Sequence, residues 1–118
     1  MSAAPGLAAR LQVDLRSALR ERDLDTVKVL RTMAGVIANA EAVPVAETGP
    51  AAAGPIAGAA AGLGAAEAPR RELSDDDVRA LVAGERDELL AAAAQLDQRA
   101  PERAAELRAA AETLAAYL

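Results

Sequence analysis

A chain of 118 residues is enough for one small domain, and its 53 % hydrophobic content rests heavily on alanine, with no Phe or Trp and a single Tyr. Having neither Cys nor His, it excludes disulfides, thiol catalysis and the usual structural zinc sites, and it lacks the commonest general base. The formal charge of -5 argues against a general nucleic-acid binder, since phosphate contacts need clustered Lys and Arg.

The opening Met-Ser-Ala-Ala-Pro-Gly has no charged region followed by an apolar one, so no signal peptide and a cytoplasmic location are expected. Leu7, Leu11, Leu15, Ala18 and Leu19 recur at helical spacing, which predicts a first amphipathic helix over about 5–22 with Arg10, Arg16 and Arg20 off its apolar stripe. A short turn at Asp23-Leu24-Asp25 follows, with Asp25 expected to cap the next helix through its carboxylate. So short a connection makes the two helices antiparallel neighbours. The second helix, over 25–42, is the most apolar of the chain. Val27, Leu30, Ala34 and Ile37 form its stripe, widened by Val29, Met33, Val36 and Ala40, so other helices must cover it.

Composition changes abruptly over 43–69, where 11 Ala, 5 Gly and 4 Pro account for 20 of 27 residues. Proline removes donors and glycine raises the entropy cost of ordering, which predicts a flexible, disordered insertion. Gly58, Gly62 and Gly64 do not make a phosphate-cradling loop, because no strand precedes them and no Lys-Ser/Thr follows. The 19 uncharged residues at 48–66 hold two prolines and only Ile56 and Leu63 as strongly apolar side chains, so no membrane span is expected.

Leu73-Ser74-Asp75-Asp76-Asp77-Val78 carries a helix start: Ser74 as N-cap, Asp77 reaching back in a short capping box, and Leu73 stapled onto Val78. The three aspartates complement the positive helix end, which is a plainer reading than a divalent-metal site. Val78, Leu81, Val82, Leu89, Ala92, Ala93 and Leu96 carry this helix to about Asp97, with Glu85 on the same stripe, at an edge or paired with an arginine. Pro101 opens a fourth helix whose apolar face is Leu107, Ala110, Ala111, Leu114 and Leu118, with Glu102, Arg103, Glu106 and Arg108 solvated. With Tyr117 as the only aromatic, the core is thin, and marginal stability or help from a partner follows.

Two sets of residues carry a family resemblance. Val29-Leu30-Arg31-Thr32-Met33 followed by Val36-Ile37-Ala38-Asn39-Ala40-Glu41 is similar to the Leu-Arg plus Ile-x-Asn-x-Glu signature of the GatB/YqeY family. Residues 73–78 and the terminal Glu112-x-Leu114-x-x-Tyr117-Leu118 resemble that family's third-helix start and the end of its first helical subdomain. The family resembles the tail domain of the B subunit of glutamine-dependent aminoacyl-tRNA amidotransferase, a helical appendage that touches tRNA while the chemistry occurs elsewhere. The resemblance therefore implies association with carbon–nitrogen ligase activity using glutamine as amide donor, with no catalytic residues in this chain.

The expected fold is all-α: a small four-helix bundle-like domain made of a hairpin at 1–42 and a hairpin at 70–118, with the disordered loop of 43–69 between helices 2 and 3. The expected function is a non-catalytic accessory domain, with tRNA or an amidotransferase-like protein as partner and no cofactor or metal. Residues 1–42 hold six basic against five acidic side chains, 43–69 only Glu47 and Glu67, and 70–118 seven against eleven, so an anionic partner should prefer the N-terminal half. Arg10, Arg16, Arg20, Lys28 and Arg31 are the residues expected to touch RNA, although an ordinary solvated helix surface is the plainer reading of all five. Asn39 and Glu41 read as structural rather than ligand-binding. The alternative is a helical protein-interaction or self-association module without RNA binding, in which a homo-oligomer buries apolar surface that a monomer leaves wet. An independent enzyme would have to run acid–base chemistry on carboxylates alone.

Overall fold

The computed structural model describes residues 6–42 and 71–118. Those residues form four α-helices and no strand: α1 (Leu7–Glu21), α2 (Leu24–Ala42), α3 (Asp75–Leu96) and α4 (Pro101–Ala115). The expected all-α class is what the protein has. The insertion at 43–69 and the start of the first helix at Pro5 lie outside the described residues.

The α1–α2 turn is tighter than expected. Arg22 takes a left-handed conformation with φ 59°, and its N–H reaches the Leu19 carbonyl at 3.2 Å while the Asp23 N–H reaches that of Ala18 at 3.0 Å. This pair of bonds is the Schellman ending, with arginine where glycine is usual. It turns the chain so abruptly that Asp23 already stands at the start of α2, its Oδ1 accepting from the Thr26 N–H at 3.3 Å and its Oδ2 from the Thr26 hydroxyl at 2.8 Å. Asp23 therefore caps α2, and the expectation that Asp25 would do so is corrected. Asp25 lies inside the first turn, where its charge still complements the helix dipole.

At α3 the capping box forms as written: Asp77 N–H donates to Ser74 Oγ and Ser74 N–H to Asp77 Oδ2, both at 3.0 Å. Those bonds hold the Asp77 carboxyl below its ordinary value, the backbone N–H of Ser74 contributing most. Asp75 does something no local pattern could show. Its Oδ1 accepts from the Leu7 N–H at 3.0 Å and so caps α1, 68 positions away. Glycine at position 6 leaves room for this approach, since a Cβ there would lie 3.0 Å from the same oxygen. α4 starts on Pro101 without a side-chain cap, and Arg108 ties it back to the end of α3 by donating to both Asp97 oxygens at 2.6 Å.

α1 packs along α2 and α3 along α4, and the two hairpins meet through α2 against α4 and through α1 and α2 against α3. The Arg71 N–H bonds the Glu41 carbonyl at 3.0 Å, so the chain leaves α2 and returns toward α3 at adjacent points. Leu7, Leu11, Leu30, Met33, Ile37, Val78, Val82, Leu114 and Tyr117 form one buried cluster, with Leu73 packed against it where the staple was expected. Three side chains depart from the expected stripes. Met33, at 0 % exposed, takes the centre of α2 and leaves Ala34 at its margin, while Leu19 and Leu118 are exposed at 44 % and 43 %. Leu19 is displaced because α1 ends in the left-handed turn just beyond it, and Leu118 because Tyr117 takes the inward position after α4.

Candidate nucleic-acid interface

The structure sorts the five expected RNA-contacting cations into three groups. Arg10 is exposed, and its guanidinium sits 5.5 Å from the Tyr117 ring centroid, a cation–π contact. One turn on, Asp14 accepts a hydrogen bond from the Tyr117 hydroxyl. Burial pushes the phenol well above its ordinary value, and the bond to Asp14 pushes it further. Tyr117 of the C-terminal signature is thus a structural tie between the end of α4 and the flank of α1.

Arg16 and Arg20 lie one turn apart on the exposed side of α1, with Arg20 Nη2 reaching Ser17 Oγ at 3.5 Å. Lys28 and Arg31 are exposed on α2, where with Leu24, Val27 and Thr32 they line a shallow hollow of about 380 Å³. Helical spacing continues this face through Gly35 to Asn39, all exposed and opposite the buried stripe of Val27, Leu30, Met33 and Ile37. No carboxylate occurs between Thr26 and Ala40. The outward face of α2 therefore offers two cations, a hydroxyl, a carboxamide and a bare stretch of helix. Glu41 is half-buried at the end of that helix, and Glu112 is exposed on α4.

A larger cleft of about 680 Å³ opens between α2, α3 and α4, with Val29, Leu89 and Leu107 among its apolar walls. Its rim carries Asp25, Glu85 and Glu106 against Lys28 and Arg103, and Arg103 is paired with Glu106 at 2.9 Å. Glu85 is half-buried there. Its three carboxylates outnumber its two cations, which makes it a poor site for phosphate.

The acid cluster at 75–77 is fully engaged in the fold. Asp75 caps α1, Asp77 closes the capping box, and Asp76 pairs with Arg79 at 2.8 Å. Among the described residues no group of three or more acidic side chains is placed to hold a metal ion, and no helix is long and apolar enough to cross a membrane.

No family model, curated protein or solved structure matches this chain. What it does must therefore be argued from its own residues. One of those residues escaped the sequence reading. Asp14 had a signal in its four-residue spacing from Arg10, which puts both beside whatever packs on that flank of α1.

Proposed function

We propose that this chain is a non-catalytic helical accessory domain of the GatB/YqeY type that touches tRNA through the outward face of α2, in association with glutamine-dependent carbon–nitrogen ligase chemistry carried out elsewhere. The observation that carries the reading is the outer face of α2, where Lys28, Arg31, Thr32 and Asn39 are exposed, with Asp25 one turn before Lys28. Arg31 and Asn39 belong to the signature that prompted the family resemblance, and neither is consumed by the core. Lys and Arg on one helix face can neutralise neighbouring phosphates, with Thr and Asn as supplementary donors. Arg10, Arg16 and Arg20 of α1, all exposed, remain in the expected RNA-contacting set, Arg10 lying also over the Tyr117 ring.

Titration of the full chain with unfractionated tRNA at low salt tests this. Binding is expected to weaken as salt rises, and Lys28→Glu with Arg31→Glu should reduce affinity at least about tenfold, with a salt slope shallower by about 2. Absence of binding at low salt, or binding indifferent to the double reversal, contradicts the proposal. The cleft between α2, α3 and α4 favours a second reading, a protein-interaction or self-association module. Concentration-dependent oligomers in a chain that ignores tRNA would select it.

A further inference from the structure

Among the described residues, the bonds that join the two hairpins gather at one end. There the Leu7 N–H donates to Asp75, the Tyr117 hydroxyl to Asp14 and the Arg71 N–H to the Glu41 carbonyl. The buried cluster lies toward the same end, in Leu7 and Leu11 at the start of α1, Met33 and Ile37 in the later half of α2, Val78 and Val82 at the start of α3, and Leu114 and Tyr117 at the close of α4. At the opposite end both hairpins make their turns, and the buried side chains there are the smaller Ala18, Val27, Ala93 and Ala104, which stand outside that cluster. The hairpins part at this turn end. The cleft of about 680 Å³ is the gap between them, since α2 lines it with Asp25, Lys28, Val29 and Thr32 of its first half and α4 chiefly with residues 103–110.

A gap with apolar walls at Val29, Leu89 and Leu107 and more carboxylates than cations at its rim fits an occupant that is apolar at its tip and basic beside it. The chain carries such a piece at the same end of the molecule. Leu24 is the most exposed large apolar side chain among the described residues, at 71 %, and Leu19, on the other side of the α1–α2 turn, stands at 44 %. Arg20 and Arg22 accompany them, both exposed; of the carboxylates beside them, Glu21 is exposed and Asp23 is held in the α2 cap. We propose that the cleft is the socket for the α1–α2 turn of a second copy of this chain, with Leu19 and Leu24 seated against Val29, Leu89 and Leu107 while Arg20 and Arg22 face Glu85 and Glu106. Plug and socket share one end of the molecule, so a two-fold axis through that end lets each copy fill the other. The contact then closes at a dimer.

This inference stands apart from the RNA reading, since it calls on neither Arg31 nor Asn39, and it is tested without RNA. Sedimentation equilibrium of the full chain at low salt should show monomer and dimer exchanging with a Kd of about 10 μM, the weak end of specific association. Leu24→Asp is expected to raise that Kd about tenfold or more. The substituted chain keeps its fold, because Leu24 is exposed and aspartate suits the first turn of a helix, and thermal melting below the dimer Kd checks this. Glu85→Arg, which reverses a rim charge, should raise the Kd about fivefold. An equimolar mixture of the two variants should dimerise more tightly than either alone. In the mixed pair one plug meets an unaltered socket, and in the other contact the two introduced charges attract.

A chain that stays monomeric up to about 1 mM overturns the inference and leaves the cleft to a different occupant. Dimerisation indifferent to Leu24→Asp overturns it as well, as does a mixture that associates no more tightly than its components. Species that keep growing beyond the dimer would mean an open, head-to-tail contact and contradict the two-fold arrangement.

Discussion

Tyr117 concentrates the structural consequences of having one aromatic residue. Its ring joins the buried cluster, its hydroxyl donates to Asp14 and Arg10 lies over its face, so a single side chain ties the exit of α4 to α1. The phenol's value in the folded protein is raised above its ordinary 10.0, chiefly by burial. A group so raised contributes its full stability below pH 10 and loses it as pH rises from there. Tyr117→Phe should therefore cost about 1 kcal/mol at pH 7, through the lost hydrogen bond, and should flatten the alkaline fall in stability. Urea denaturation of both chains at pH 7 and at pH 10 to 11 checks this. Parallel stability curves would mean that the hydroxyl is not part of the tie.

At the level of elements, the sharpest feature is the Arg22–Asp23 turn, which ends one helix and begins the next with no residue to spare. An L-residue held at φ 59° bears a steric cost that glycine does not. Arg22→Gly is expected to stabilise the domain by about 1 kcal/mol, read as a higher urea midpoint with unchanged slope. A lower midpoint would show that the arginine side chain supports the turn more than its backbone strains it.

The same turn shows how far the helices were legible in the sequence. Apolar periodicity located all four, and Ser74 with Asp77 and Pro101 marked two of their starts, because those signals act within one turn of chain. The α2 cap was misplaced because its identity depends on how α1 ends, and an arginine in the left-handed region leaves no mark of the kind glycine leaves. Asp75 capping α1 was invisible for the complementary reason, being a contact between residues far apart in sequence. The site was legible as a set of charges but not as a surface. Only packing shows that Arg10 lies over Tyr117, or that Lys28 and Arg31 continue into the bare face around Gly35.

For the molecule as a whole, two helical hairpins share a core almost without aromatic area, and Asp23, Ser74, Asp75 and Asp77 spend their polar groups on helix ends. Among the described residues, the buried ones are all apolar apart from the Tyr117 hydroxyl, and every exposed ion pair joins side chains of α3, α4 or the turn between them. The net charge of -5 limits how tightly any polyanion can be held, so the proposed RNA contact is expected to be local and salt-sensitive. The outer face of α2 and the cleft between α2, α3 and α4 share Lys28 and Thr32 but differ beyond them, Arg31 and Asn39 on one side and Glu85, Leu89 and Leu107 on the other, and a map of which set responds decides between the two modes of action. Amide chemical-shift changes during titration of the isotope-labelled full chain with tRNA at low salt provide that map. The expected result is a continuous patch at Lys28, Arg31, Thr32, Gly35 and Asn39 with α3 and α4 unmoved; shifts confined to the cleft around Glu85, Leu89 and Leu107, or none at all, would contradict it.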